Sequence, residues 1–301
     1  MIDLTQVLQF IINALSLGSL YALMALGMVI VYGILKLVNF AYGELIMVGG
    51  YALFLLSTST SLPWLVVAVL SVLTAVGVSY LTERVAFRPV REKSLTAMLI
   101  TSFAVSTLLQ NAALLTVSPR PKAVPQPDIF TTSLMLGNLV IPVRNILAIV
   151  VSLLLLGGLS LLLKRTILGI ALRAAADNFT MTRMLGVPAN LIISVAFAIS
   201  GLLAGVVSIF WIGRIASVTP TIGASPLIIA FIATVIGGMQ SLEGAVIGGY
   251  LFGLLTTTIN LLLPQELLEF REAFTFALVI LILLFRPEGL IRGTATAERL
   301  G

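Results

Sequence analysis

The sequence predicts an all-α protein, a polytopic membrane helix bundle of about 8–10 transmembrane segments with two broken or short helices and an internal repeat. Of the 301 residues, 59% are apolar and only 10% are charged, whereas about 25% are charged in an average soluble domain. Uncharged apolar runs long enough to cross a bilayer also recur along the chain. A soluble chain of this length cannot bury so much apolar surface. The composition therefore excludes an ordinary cytosolic enzyme, a nucleic-acid-binding module and a disordered protein.

Seven apolar runs are predicted to form transmembrane helices, since about 20 apolar residues cross the ~30 Å of hydrocarbon. The first, from about Val7 to Val31, is uncharged and is not preceded by Lys or Arg, so we expect an uncleaved span rather than a signal peptide. The last, Phe274–Phe285, is shorter, but the arginines at its ends can extend outward to the interface. The runs between them are Trp64–Leu81, Ala97–Val117, Pro142–Leu163, Leu191–Ile212 and Ala245–Leu263.

Two further runs, Leu45–Leu56 and Leu227–Ile236, are too short to cross as straight helices. The first follows a break bounded by glycines at 33–43, and the second lies between Pro226 and the pair Gly237–Gly238. Interrupted segments of this kind in matching positions of two halves indicate a transport site. An ordinary kinked helix is the alternative.

The order of the segments predicts a duplication within a single transmembrane domain of residues 1–301, with halves at 1–160 and 165–290. In each half a long span precedes an irregular stretch and then a short segment. The triplet Gly49-Gly50-Tyr51 of the first half is echoed by Gly248-Gly249-Tyr250 in the second.

The distribution of basic residues predicts the orientation, because Lys and Arg are enriched in cytoplasmic loops. One set of alternate loops holds most of them: Lys36, Arg84, Arg88, Arg91, Lys93, Lys164, Arg165, Arg173, Arg183, Arg286, Arg292 and Arg299. The opposite set holds Arg120, Lys122, Arg144, Arg214 and Arg271. With nine segments, this bias places the N-terminus outside and the C-terminus in the cytoplasm. It also accounts for the net charge of +5 without a nucleic-acid partner.

No catalytic, metal-binding or cofactor-binding constellation is predicted. The chain contains no Cys and no His, which removes disulfides, thiol nucleophiles, histidine bases and the common zinc and haem sites. No Lys follows a Gly, so the phosphate-binding loop of many ATPases is absent. An enzyme is therefore the weak hypothesis.

Polar side chains interrupt the apolar pattern between Lys36 and Glu44. A carboxylate within a span is costly unless it is paired or faces water, so Glu44 is a functional candidate and Lys36 is its expected partner. In the alternative, both residues lie at the cytoplasmic interface and only fix a re-entrant turn. The candidate residues of a substrate pathway are Tyr21, Asn39, Tyr42, Glu44 and Ser225.

A cytoplasmic loop at 164–190 is predicted to contain a short amphipathic helix that ends at Gly186 and Pro188. Its apolar face is formed by residues at helical spacing: Leu172, Ala175, Ala176 and Phe179. Such a helix either rests on lipid or inserts into a groove on a cytoplasmic partner. At 237–244 we expect a turn in which Glu243 caps the next helix, a ligand role being the alternative.

Several motifs together resemble the LivH-type permeases of branched-chain amino acid ABC importers. The motifs are Leu17-Gly18-Ser19-Leu20-Tyr21-Ala22-Leu23, Ala25-Leu26-Gly27, Tyr32-Gly33, Asn39-Phe40-Ala41-Tyr42-Gly43-Glu44, Met47-Val48-Gly49-Gly50-Tyr51, Arg173-Ala174-Ala175-Ala176-Asp177-Asn178, Leu185-Gly186-Val187 and Arg286-Pro287-Glu288-Gly289-Leu290. The resemblance covers nearly the whole chain. One departure is Tyr42, where the family usually has His before the Gly-Glu pair.

The resemblance implies a multi-pass permease in the bacterial cytoplasmic membrane. It also implies a second related permease subunit, two cytoplasmic ATPase subunits and a periplasmic or extracellular substrate-binding protein. The family's segment for docking on the ATPase corresponds to Arg173, Ala174, Ala175, Ala176, Asp177, Asn178, Arg183 and Gly186. Relatives of this type also serve urea and short amides. A stand-alone channel or secondary transporter and a purely structural membrane subunit are the rival classes.

Overall fold

The computed structural model describes residues 4–91, 93–136, 139–286 and 289–291. Its helices are α1 (Leu4–Leu35), α2 (Tyr42–Ser59), α3 (Trp64–Thr82), α4 (Leu95–Thr116), α5 (Asp128–Thr131), α6 (Val143–Arg165), α7 (Ile167–Asp177), α8 (Phe179–Met184), α9 (Ala189–Ile215), α10 (Ala224–Gly237), α11 (Leu242–Leu262) and α12 (Arg271–Phe285). A π-helical turn, Glu83–Phe87, continues α3, and a 3-10 turn, Gln265–Phe270, precedes α12. Arg292 and Arg299 of the orientation argument, and Pro287 and Glu288 of the C-terminal motif, lie outside the described residues.

Two short β-ladders lie in the loops. Strand β1 (Lys122–Ala123) pairs with β4 (Ser217–Val218), and β2 (Ser133–Leu136) pairs with β3 (Leu139–Pro142), both antiparallel. The β1–β4 pair brings the loop after α4 and the loop after α9 to the same end of the bundle. This is the arrangement that alternate crossing of the membrane requires.

The helices confirm the predicted helical bundle. Among the described residues, six helices are long and apolar enough to cross a membrane, and Ala224–Gly237 and Ala273–Phe285 are shorter apolar helices. Helix α2 is longer than the predicted run Leu45–Leu56, because the polar side chains at its C-terminal end form hydrogen bonds within the helix. The hydroxyls of Ser57, Thr58 and Ser59 donate to carbonyl oxygens of the preceding turn.

The chain forms two compact units. The first unit comprises 1–26, 128–156 and 229–301, and the second comprises 27–127 and 157–228, each within the described ranges. The predicted repeat halves at 1–160 and 165–290 stay a prediction.

The second unit packs α9 against α2 and α3 through small residues. A Cβ atom on Gly205 would lie 2.8 Å from Val72 Cα, and one on Gly201 would lie 2.9 Å from the Ala75 carbonyl oxygen. A side chain at Gly49 would clash with Ser208. These helix backbones approach so closely that only glycine fits, as is common between membrane helices.

Buried hydroxyls join the same three helices. Ser71 Oγ of α3 donates to the Gly49 carbonyl oxygen of α2 at 2.7 Å, and Ser79 Oγ of α3 donates to the Phe197 carbonyl oxygen of α9 at 2.6 Å. Hydrogen bonds between helices stabilise packing where lipid offers no partner.

The first unit repeats this packing between α1 and α11. Side chains at Gly249 and Gly253 of α11 would clash with the α1 backbone at Ala22 and Gly18. Ser19 and Tyr250 hydroxyls lie 3.3 Å apart, within hydrogen-bonding distance. Both Gly-Gly-Tyr triplets thus lie where two helices approach closely.

We predict that Gly205→Ala destabilises the protein by about 1–3 kcal/mol, because the new methyl group has no space against α3. Gly77→Ala in α3 is the matched control, since no described atom lies within 4 Å of its Cβ position, and it should be neutral or stabilising by up to about 1 kcal/mol. Thermal unfolding of the full chain in detergent measures both. Equal thermal unfolding midpoints for the two variants would contradict the close contact between α9 and α3.

Candidate functional site

The chain reverses direction at Lys36, directly after α1. Lys36 has a φ of 52°, in the left-handed region, and its N–H donates to the Tyr32 carbonyl oxygen at 2.7 Å. Its Nζ donates to the Ala176 carbonyl oxygen of α7 at 2.9 Å. Burial lowers the pKa of the Lys36 ammonium, and the Asp177 carboxylate acts in the opposite direction. The end of α1 is therefore tied to the 164–190 loop.

Glu44 lies in the first turn of α2 and is only 1% exposed. Its Oε1 accepts hydrogen bonds from Gln110 Nε2 at 2.6 Å and from Ser106 Oγ at 3.1 Å, both on α4. The expected pairing with Lys36 is wrong, because the Lys36 ammonium binds the end of α7 instead. Neutral donors of a neighbouring helix therefore solvate the carboxylate.

The contacts of Glu44 place it level with the middle of α4. Ser106 is the twelfth of the 22 residues of α4, so at ~1.5 Å per residue it lies about 16 Å along a helix of about 33 Å. Phe40 stacks on Phe103 of α4 with ring centroids 4.1 Å apart, so the 36–41 connection already runs inside the bundle. Glu44 and the start of α2 therefore lie level with the middle of α4, a helix long enough to cross a membrane.

A second helix start meets Glu44 at this depth. Gly223 directly precedes α10, and a side chain on Gly43 would clash with the Gly223 carbonyl oxygen. A Cβ on Gly223 would lie 3.0 Å from Glu44 Oε2. The starts of α2 and α10 thus face each other backbone to backbone, which only glycine permits. Both helix starts, which carry partial positive charge, thus lie close to the carboxylate.

One oxygen of Glu44 has no hydrogen-bond partner within the described part of the chain, namely Oε2. A buried carboxylate oxygen, an amide and two helix starts together form a polar site in an apolar bundle. The carboxylate can attract an ammonium group, and helix N-termini attract a carboxylate. In the conformation described, the contact between Gly43 and Gly223 leaves no space there, so the site is closed.

Asn39 and Tyr42 shape the start of α2. Asn39 is buried, and its Oδ1 accepts a hydrogen bond from the Ala41 N–H at 3.1 Å, which fixes the turn before the helix. Tyr42 is fully buried, and its ring fills the space that the absent side chain of Gly27 leaves.

The two other candidate pathway residues lie on α10 and α1. Ser225 is exposed in the first turn of α10, two residues after Gly223. Tyr21 belongs to the first unit, where its ring lies 5.4 Å from that of Phe252. Asn39, Tyr42 and Glu44 of the predicted set lie together around the start of α2.

The 164–190 loop forms two short helices rather than one. Thr166 and Asn178 cap α7 and α8, each accepting a hydrogen bond from the main-chain N–H three residues later at 3.0 Å. The four residues of the predicted apolar face are buried or half-buried, but Phe179 lies on α8 rather than α7, because the backbone at Asn178 is extended and ends α7. Gly186 has a φ of 84° just after α8, which agrees with the predicted stop.

The outer surface of α7 and α8 carries most of the predicted docking residues. Of these, Arg173, Ala174, Asp177, Asn178, Arg183 and Gly186 are exposed, whereas Ala175 is buried and Ala176 is half-buried. The exposed apolar side chains beside them are Met181, Met184 and Leu185. Ala175 and Leu172 hold α7 on the bundle, and the exposed set leaves a mixed polar and apolar surface for a partner.

A second buried carboxylate, Glu83, is 1% exposed and was not predicted from the sequence. Ser194 Oγ of α9 donates to Glu83 Oε2 at 2.7 Å, and Arg91 Nη1 lies 3.7 Å from Glu83 Oε1. Arg91 also donates to Asn190 Oδ1. The network joins the end of α3 to the start of α9, and the π-helical turn that begins at Glu83 is of a kind frequent at functional sites.

At the start of α11 the cap is Ser241, whose Oγ accepts from the Gly244 N–H at 2.9 Å. The expectation that Glu243 is the capping residue is therefore wrong. Glu243 lies in the first turn, where the helix dipole still favours an acid. Within the described ranges, no three acidic side chains come close enough to hold a metal ion.

Comparisons with known proteins point to one family. The family model described as "Branched-chain amino acid transport system / permease component" matches residues 10–283. The chain is 37% identical over 296 residues to the high-affinity branched-chain amino acid transport system permease protein BraD of Pseudomonas aeruginosa, covering 94% of this chain and 95% of the relative. It is 32% identical over 297 residues to LivH of Escherichia coli, with the same coverage. No solved structure gives a significant match.

We predict that Gln110→Leu destabilises the protein by about 1.5–3 kcal/mol, because it removes a hydrogen bond to a buried carboxylate. Asn111→Leu is the matched control on the next residue, since Asn111 is exposed and its amide donates to the Thr107 carbonyl oxygen of its own helix. Chemical or thermal unfolding in detergent compares the two. A Gln110→Leu protein as stable as the control would contradict the Glu44 contact.

Proposed function

This chain belongs to the family of branched-chain amino acid transport permease components, and from that premise we propose that it is the membrane permease of an ATP-binding-cassette importer. It forms the pathway for branched-chain or other small amino acids. The observation that carries the proposal is the similarity to the named permeases along 94% of the chain.

The proposed complex contains a second related permease, two cytoplasmic ATPases and a substrate-binding protein outside the membrane. ATP hydrolysis belongs to the ATPase subunits, and this chain supplies the conduit. In the proposed complex the exposed surface of α7 and α8 lies in the cytoplasm and the N-terminus outside, an orientation that the distribution of Lys and Arg supports.

The Glu44 site is the closed constriction of the pathway in this proposal. Separation of the helix starts at Gly43 and Gly223 would open a gap beside Glu44 Oε2. A zwitterion entering the gap meets the carboxylate through its ammonium and the helix starts through its carboxylate. Its apolar side chain lies against the apolar bundle. Movement of α7 and α8 with the ATPases reaches this region through the contact between Lys36 and Ala176.

We predict that proteoliposomes containing the whole complex take up leucine only with binding protein outside and ATP on the ATPase side. Glu44→Gln should lower the uptake rate about tenfold or more, because a neutral amide does not balance an ammonium. Glu266→Gln, an exposed change of the same kind, is the control. Uptake by this chain alone without nucleotide would instead favour a secondary transporter.

We predict that Met184→Asp prevents the ATPase from co-purifying with the permease, because it places a charge on the apolar part of the docking surface. Met135→Asp is the matched control, since the two methionines are 76% and 77% exposed and Met135 lies in the β2–β3 hairpin. Equal recovery of the ATPase with both variants would remove α8 from the docking surface.

A further inference from the structure

The second unit contains a cavity of about 760 Å³ that the proposed pathway does not use. Its wall is formed by the end of α1, the loop after α3, the first turns of α4 and α9, and α8. The lining residues that bear on the argument are Leu35, Arg91, Met98, Arg183, Ala189 and Asn190. The volume suits a small organic group, since ligand pockets measure about 300–1,000 Å³.

The cavity lies where three membrane helices end. Helix α1 ends at Leu35, α4 begins at Leu95, and α9 begins at Ala189. The ends of spanning helices mark the depth of the lipid headgroups. The basic loops 84–93 and 164–183 at this end place it at the cytoplasmic leaflet.

The charges around the cavity favour an anion. Arg91 and Arg183 line it, and Glu83 is the acid that faces Arg91, at 3.7 Å. The other charged side chains on the flanking segments are mostly basic: Lys36, Arg84, Arg88, Lys93 and Arg173, with Asp177 and, in the sequence, Glu92 as the further acids. The start of α9 adds main-chain N–H groups without a side-chain cap.

Apart from Asn190 and the two arginines the wall is apolar, and exposed apolar side chains lie on the same helix starts. Leu95 and Leu191, in the first turns of α4 and α9, are 58% and 49% exposed. A ligand with an anionic head and apolar chains matches both parts of this surface. Basic pockets between membrane helices on the cytoplasmic side bind anionic lipid headgroups.

We propose that this cavity binds the headgroup of one anionic phospholipid of the cytoplasmic leaflet beside the docking helix α8. This inference does not depend on which substrate the chain transports. A bound headgroup contacts Arg183 of α8 and the start of α9 together, so it would hold the docking helix against the bundle.

Native mass spectrometry of the purified full chain, with added phosphatidylglycerol or phosphatidylcholine of equal chain length, tests the proposal. One phosphatidylglycerol should be retained in preference to phosphatidylcholine. Arg183→Gln should lower this retention about fivefold, the effect expected of one basic group near an anionic lipid. Arg183→Lys should keep it, and Arg88→Gln, an exposed arginine outside the cavity wall, should change it less than twofold.

Ala189→Phe is a second variant that fills the cavity without changing its charge, and it should also release the lipid. Equal retention of the two lipids, or equal effects of Arg183→Gln and Arg88→Gln, would overturn the proposal. Displacement by glycerol 3-phosphate at matched concentration would assign the cavity to a small anion. Displacement by an acidic peptide would assign it to a protein partner. Either result would also overturn the lipid site.

Discussion

A helix that starts inside a membrane must have its free N–H groups and its nearby charges satisfied by protein, because hydrocarbon offers no hydrogen bonds. In this chain α2 and α10 both start next to Glu44, and the rest of the second unit depends on meeting that requirement. Gln110 and Ser106 solvate the carboxylate from α4, and Asn39 binds the main chain just before α2. The two positive helix ends in turn stabilise the negative charge between them.

The same requirement explains why glycine and small hydroxyl residues are concentrated in the bundle. The backbones of Gly43 and Gly223 are in contact where α2 and α10 begin, which requires that neither residue has a side chain. Contacts of the same type at Gly205 and Gly249 hold the uninterrupted helices together in each unit. In the proposed function, a rigid-body shift of the helices separates these backbone contacts and opens the site.

Local patterns in the sequence predicted most of the helices and the position of the interruptions. Apolar length identified the spans, and the glycines at 33–43 and the Gly186-Pro188 pair marked where helices stop. The partner of Glu44 was not predictable in this way, because Gln110 lies 66 positions away and nothing local aims an amide of one span at a carboxylate of another. Lys36 is nearer to Glu44 in sequence, but its backbone is left-handed and its ammonium group binds the end of α7. The break at Asn178 was not predictable, because Asn occurs both inside helices and as an N-cap. In the structure it is the N-cap of α8.

The most direct measurement is the accessibility of residue 44 itself. Because the chain has no cysteine, Glu44→Cys introduces a single thiol that a membrane-impermeant maleimide can report. Single cysteines at the exposed positions Ser59 and Arg173 calibrate the outer and cytoplasmic faces. If Glu44 lies at a closed constriction at mid-depth, the resting complex should protect position 44 from both sides while each control is labelled from one side only. Labelling of position 44 from the cytoplasm in the resting complex would contradict the account.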